Sequence, residues 1–233
     1  MNARDRLIVA LDVPKADEAR ALVERLQGKV GLFNVGSQAF TAAGPELVRE
    51  IVSRGERVFL DLKFHDIPNT VAGAVASASQ LGVSLLTVHG LGGRAMLEAA
   101  VGALPAMGTR LLAITVLTSH DEAGLGEVGV AGGVTDSVRR LARLAKDAGA
   151  DGVVASPHEV ALIREACGRD FLVVTPGIRP KGAATGDQAR AATPASALAA
   201  GADYLVVGRP ITEAADPAAA ADRIVREMEA VAV

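Results

Sequence analysis

Tryptophan is absent from this chain of 233 residues, tyrosine occurs once and phenylalanine five times. Aromatics make up 3% of the sequence, so Ala, Val, Leu and Gly must build the core. Small side chains suit close packing of helices on strands better than a wide β-sandwich, whose sheets stand about 10 Å apart. Cysteine is almost missing. The single Cys167 excludes an intramolecular disulfide and any multi-cysteine zinc site. Long runs of positive charge are missing: the net charge is -3, and no basic run exceeds two residues. Non-specific nucleic-acid binding needs a positive surface that releases counterions, so no nucleic-acid partner is expected. No stretch approaches the roughly 18 uncharged apolar residues of a membrane span. The start, MNARDRLIVALDV, lacks a signal peptide's long apolar stretch because Asp12 interrupts the short run. The expected location is the cytoplasm.

What the chain does have is apolar content: 50% of its residues are hydrophobic and 22% charged. That excludes a disordered chain, which would lack the apolar surface to offset its ordering entropy. The length suits one larger domain with a substantial core. Short apolar, β-branched runs occur at 7–11, 30–35, 57–62, 84–89, 110–116, 151–155, 171–175 and 203–207. Continuous runs of this kind predict strands buried on both faces of a parallel sheet. Ala-rich amphipathic segments alternate with them at 16–27, 45–54, 69–81, 93–103, 135–148, 158–166, 190–199 and 217–230. Gly55, Gly82, Gly149 and Gly201 stand at helix-to-strand returns, where a left-handed cap is inexpensive for glycine. Eight units of roughly 29 residues, each about a βαβ unit long, predict a (β/α)8 TIM barrel over 1–233 as a single domain. A doubly wound sheet is the alternative, weakened because no GxGxxG follows the first strand. The longest irregular stretches, 117–133 and 176–189, are Gly-rich and each follows a strand.

A barrel places its chemistry at the carboxyl ends of the strands. Those ends carry Asp12, Asn34, Asp61 and Lys63, His89, Thr118 and Ser119, Arg179, and Gly208 with Arg209. The third loop, DLKFHDIPNT at 61–70, is the densest. Asp61 and Lys63 are two apart and share a face on an extended strand end. A lysine flanked by carboxylates stays protonated and can serve as a positioned proton donor or electrostatic anchor. A surface ion-pair cluster before a helix, with Pro68 in the first turn, fits the same spacing. After the last strand, Gly208 permits close backbone approach and Arg209 offers a two-pronged donor, which suits a phosphate. A turn glycine beside a solvated arginine fits equally. The polar stretch 179–188 is long enough to fold over a ligand or to be a plain surface loop. His89 reads best as a satisfied strand-end histidine. His65, His120 and His158 lack metal-ligand spacing, and nothing in the sequence implies a metal or an organic cofactor.

The stretch 61–71, DLKFHDIPNTV, resembles the signature of the orotidine 5′-phosphate decarboxylase family. LIVALDVP, VGSQAFTAAGPELV, ITVLTS, TPGIRP, GDQARAATP and GADYLVVGRPIT continue the resemblance in the family's order, across nearly the full length. The resemblance implies a barrel, usually a homodimer, that converts orotidine 5′-phosphate to UMP and CO2 without a cofactor, the last step of de novo pyrimidine synthesis. It implies that Asp12 contacts the ribose region, Asp61 lies next to the departing carboxylate, and Lys63 protonates C6 of the pyrimidine. It further implies that Asp66, with Ile67 and Thr70, reaches into the neighbouring subunit's site. Thr118, with Ser119 beside it, should face the pyrimidine. Arg179, Gln188, Gly208 and Arg209 should hold the phosphate and the closing loop.

One position departs from the family's pattern. The family usually reads Lys-Val-Gly at the end of the second strand, and this chain reads Asn34-Val35-Gly36. Asn keeps hydrogen-bonding ability but loses a positive charge and most of the reach. Asp12 and Asp61 then lack a shared cation, Asp61 should be held less firmly, and decarboxylation should be impaired more than binding. A single-codon change, natural variation with compensation, and loss of catalysis with retained binding all fit. Two other functions remain open: a non-catalytic nucleotide-phosphate binding protein, and a metal-dependent sugar-phosphate decarboxylase or aldolase-type relative.

Overall fold

The computed structural model describes residues 2–106, 108–180 and 192–231. Eight short parallel strands pair in sequence order: β1 (Leu7–Ala10), β2 (Leu32–Gly36), β3 (Val58–Phe64), β4 (Leu85–His89), β5 (Arg110–Ile114), β6 (Gly152–Val154), β7 (Leu172–Thr175) and β8 (Tyr204–Val207). β8 pairs with β1 and closes the barrel. Closure settles the TIM barrel against the doubly wound alternative, which requires an open sheet. The helices around it are α1 (Ala16–Leu26), α2 (Ser37–Ser53), α3 (Pro68–Ser79), α4 (Gly93–Gly102), α5 (Glu122–Glu127), α6 (Val134–Asp147), α7 (Val160–Cys167), α8 (Pro194–Ala199), α9 (Arg209–Thr212) and α10 (Pro217–Glu229). Gly55, Gly82, Gly149 and Gly201 all take positive φ at the returns into β3, β4, β6 and β8. Among the described residues no helix is long and apolar enough to cross a membrane.

Three helical segments differ from the sequence reading. α2 begins at Ser37 rather than near 45, because Pro45 looks like a first-turn proline but sits inside a helix kinked at Gly44 (φ 64). α5 interrupts the stretch 117–133; its two glycines hide it, and the Asp121 side chain caps it by accepting from Gly124 N–H. α9 is a single turn directly after Gly208.

The period of two along each strand divides the core into two layers. One residue set points outward under the helices, for example Val9, Phe33, Leu60, Leu86 and Val173. The other fills the barrel: Ile8, Leu32, Phe59, Leu85, Leu112, Val174 and Tyr204 form a separate buried cluster. The lone tyrosine closes the amino end of this interior. Tyr204 is fully buried, and its hydroxyl accepts from Arg110 at 3.0 Å and Arg57 at 3.4 Å. A buried phenol needs such a partner. Two residues further along each strand the same inward face carries Ala10, Asn34, Asp61, Thr87, Ile114 and Val206. The interior thus turns from apolar to polar over one pleat, and that pleat is the floor of the site.

Candidate active site

The carboxyl ends of the strands open on a cavity of about 360 Å³. Asp12, Asn34, Asp61, Lys63 and Thr118 line it, with Ile114, Val154, Pro176 and Val206 as its aliphatic walls. A second compartment of about 310 Å³ shares Ala10, Asp12, Pro176 and Val206 with the first, so the two are continuous. The second adds Gly177, Arg179, Gly208, Arg209, Thr212 and Glu213. One end is therefore built around carboxylates and an ammonium, and the other around two guanidiniums.

Lys63 is the focus of the first compartment. Its Nζ lies 2.7 Å from Asp61 Oδ2. Its backbone has φ 51, the only positive φ outside glycine among the described residues. A conformation of this kind costs on the order of 1 kcal/mol and persists only where the surroundings enforce it. The pairing of β3 with β4 shifts register between Leu60 and Phe64, where Lys63 lies. Thr87 Oγ1 accepts from Lys63 N–H at 2.9 Å and donates to Asp61 Oδ1 at 2.9 Å. Both oxygens of Asp61 are thus held. The residues alone imply that Asp61 is held less firmly than with a lysine at 34; Thr87 gives it a second hold beside Lys63, and a threonine inside an apolar strand carries no signal of that.

The neighbouring carboxylate is less well served. The pKa of Asp12 is raised, first by burial and then by the charge of Asp61, with Lys63 opposing. Asp12 is accessible to solvent and lines both compartments. Asn34 is buried in the wall at 3% exposure. A β-carbon on Gly36 would meet Asp12 Oδ1 at 3.2 Å and Asn34 Oδ1 at 3.7 Å. Glycine at 36 therefore lets both side chains turn to the same spot. Gly36, with Ser37 and Gln38 of the first turn of α2, lines the cavity. Sequence reasoning missed Ser37 and Gln38 because it started that helix too late.

In the second compartment Arg179 is buried, and its pKa is pushed down by burial and by the charge of Arg209, with Glu213 opposing. Two arginines that repel one another across an open space form a site for an anion. Gly177 takes φ 76 and presents bare backbone to the same space.

The remaining expected residues lie elsewhere. Asp66, Ile67 and Thr70 are exposed and line neither compartment; Ile67 is 67% exposed, high for a large aliphatic side chain. Ser119 lines an adjoining cleft with Thr118, His120, Asp121 and His158, and only Thr118 of that pair also lines the main cavity. Gln188 lies outside the described residues. His89 stacks on His65, with ring centroids 5.2 Å apart and planes 18° from parallel. Its pKa is lowered to about 4 by burial, then by His65, Lys63 and His120. Its Nδ1 accepts from Leu91 N–H at 3.3 Å, so it is indeed a satisfied strand-end histidine. Among the described residues no group of three or more His, Cys, Asp or Glu is placed to hold a metal ion.

Residues 5–224 match the family described as orotidine 5′-phosphate decarboxylase / HUMPS. An orotidine 5′-phosphate decarboxylase from Syntrophotalea carbinolica is 57% identical, over 99% of this chain and 97% of that protein. Another from Halorhodospira halophila is 58% identical, over 97% of this chain and 96% of its own. The crystal structure of orotidine 5′-phosphate decarboxylase from Lactobacillus acidophilus superposes with a TM-score of 0.85 at 39% identity, covering 95% of this chain and 98% of the other.

Proposed function

The chain belongs to the orotidine 5′-phosphate decarboxylase family, and we propose that it converts orotidine 5′-phosphate to UMP and CO2 with Lys63 as the proton donor. The observation that carries this reading is the Asp61–Lys63 pair, 2.7 Å apart, over a cavity that continues into the two-arginine compartment. A nucleoside monophosphate has that polarity: a reacting ring at one end and a dianion at the other.

The chemistry follows from charge. Breaking the bond between C6 and the carboxylate leaves its electron pair on C6 as CO2 departs. The fixed ammonium of Lys63 stabilises that developing anion and then transfers a proton to C6, ending as an amine that solvent reprotonates. Asp61, acceptor-only and held at both oxygens, stands beside the substrate carboxylate and favours its loss. Asp12 takes the ribose region, Thr118 the pyrimidine, and Arg179, Gly208 and Arg209, with Gln188, the phosphate. Phosphate binding far from C6 supplies energy that holds the charged site together around the substrate.

Asn34 weakens this arrangement. No ammonium at 34 neutralises Asp12 and Asp61, so an anionic substrate meets a more negative cavity and the rate is lower than a lysine would give. The exposed Asp66, Ile67 and Thr70 have no role in their own chain's cavity, which supports their contribution to a neighbouring subunit's site in a homodimer. The reading assigns 1–233 to one domain and requires neither metal nor cofactor.

The test is turnover of orotidine 5′-phosphate by the purified chain, followed by its absorbance change in the presence of a chelator. UMP formation is expected. Binding of UMP without turnover points to the non-catalytic reading, and turnover of a sugar phosphate that depends on Mg²⁺ points to the metal-dependent one.

A further inference from the structure

Thr87 belongs to β4, and none of the sequence motifs includes it. It follows Leu85 by two residues on the inward face, one layer above the apolar plug of the barrel. It is fully buried, at 0% exposure. For the fold alone, an aliphatic side chain of the same shape would fill that place. The hydroxyl is therefore the feature to explain.

Its two hydrogen bonds explain it. The hydroxyl has one hydrogen to give. Since Lys63 N–H donates to Oγ1, that hydrogen is free to go to Asp61 Oδ1. Asp61 Oδ2 in turn accepts from Lys63 Nζ. Three hydrogen bonds and the side chain of Lys63 close a ring through the Lys63 backbone, Thr87, the Asp61 carboxylate and the Lys63 ammonium. The ring lies where the β3–β4 register shifts, so the side chain of Thr87 supplies the hold on the Lys63 amide there. It also holds the one non-glycine residue with positive φ among the described residues. A left-handed residue other than glycine persists only where its surroundings hold it, and both the amide and the ammonium of Lys63 are held here.

We propose that Thr87 is the positioning residue of the reaction, its hydroxyl holding the strained backbone of Lys63 and the carboxylate of Asp61 in the one arrangement that aims the ammonium into the cavity. This inference rests on the decarboxylase reading. Thr87 touches neither substrate nor reacting atoms and acts through Asp61 and Lys63. Misplacing a reacting group by about 1 Å can cost roughly 100-fold in rate, so loss of this hydroxyl appears in kcat.

The experiment compares the chain with Thr87→Val and Thr87→Ser for turnover of orotidine 5′-phosphate and for UMP affinity. Val is expected to lower kcat by roughly 10- to 100-fold while KM and UMP affinity stay within about twofold, because the arginine compartment is untouched. Ser, which keeps the hydroxyl, is expected to recover most of the rate. In a Lys63→Ala background Thr87→Val should cost almost nothing more, since the residue it positions is gone. Hydrogen exchange at the Lys63 amide, slow in the parent, should quicken in Val and return in Ser. If Val does not fold, Thr87→Ala against Thr87→Ser gives the same contrast. An unchanged kcat in the hydroxyl-free variant, an equal loss in Val and Ser, or a full extra loss in the Lys63→Ala background overturns the proposal. Absence of turnover in the parent chain overturns the decarboxylase reading instead, and the exchange measurement still decides whether Thr87 holds Lys63.

Discussion

Asp12 and Asp61 repel one another across the cavity, and Asp61 is the charge that raises the Asp12 pKa most after burial. Lys63 is engaged at 2.7 Å with Asp61, and the neutral amide of Asn34 comes to the same spot beside Gly36 as Asp12. A lysine at 34 would place a cation between the two carboxylates. Asn34→Lys is therefore expected to raise kcat/KM at least roughly 10-fold, the scale of one charge-assisted contact in a confined site. It should also bring the Asp12 pKa down, which a carboxyl-detected NMR titration would read. A variant no faster than the present chain would contradict this.

The same repulsion makes a stability prediction at Asp12. Its folded-state pKa lies above its ordinary value of 3.8. Through that interval the folded chain holds a proton that the unfolded chain has lost, so stability falls as pH rises. Asp12→Asn removes the buried charge and with it the repulsion from Asp61. It should melt at a higher temperature than the parent at pH 7, the gap should narrow toward pH 4, and turnover should drop.

His89 carries the opposite sign. Its pKa is lowered from 6.5 to about 4. Between those values the unfolded chain binds a proton here and the folded chain does not, so stability is gained as pH rises through the window and lost on acidification. His89 should remain neutral at pH 6 by NMR. His89→Gln should flatten the loss of denaturant resistance between pH 6.5 and 4.

Backbone strain at Lys63 is separable from its charge. Lys63→Gly and Lys63→Ala both remove the ammonium and both should lose several orders of magnitude in rate. Only glycine relieves φ 51. In an ordinary strand glycine is the less stable of the two by roughly 0.5–1 kcal/mol. Here the order should reverse, with the glycine variant more stable by about 1 kcal/mol in denaturant unfolding.

Arg209 tests the far compartment. Arg209→Ala should raise KM for orotidine 5′-phosphate by roughly 10- to 100-fold, the range for a lost hydrogen bond to a charged group. Substrate lacking the phosphate should be insensitive to the change. An equal loss with both substrates would remove the guanidinium from phosphate binding.

Much of this was legible in the residues. Continuous apolar runs such as LIVAL and YLVV mark strands covered on both faces, and eight of them in alternation with helices admit a barrel. Asp61 and Lys63, two apart, share a face on an extended strand end, and they meet even though Lys63 leaves the extended conformation at φ 51. Other features depend on what lies across the barrel. Thr87 reads as one more β-branched strand residue, and its hydroxyl acquires meaning only from the register shift that brings Lys63 N–H to it. Tyr204 reads as strand, and only the folded barrel shows Arg57 and Arg110 converging on its hydroxyl. Asp66, Ile67 and Thr70 stand in the densest motif of the chain, yet they are exposed and line neither compartment of its own cavity.

The central claim is that Lys63 delivers the proton that completes decarboxylation. Single-turnover rates of the chain and of Lys63→Ala on orotidine 5′-phosphate, each saturated with substrate, test it most directly. The account predicts measurable UMP formation by the chain and a loss of several orders of magnitude in Lys63→Ala, with UMP still bound. Turnover by Lys63→Ala at the parent's rate would contradict it.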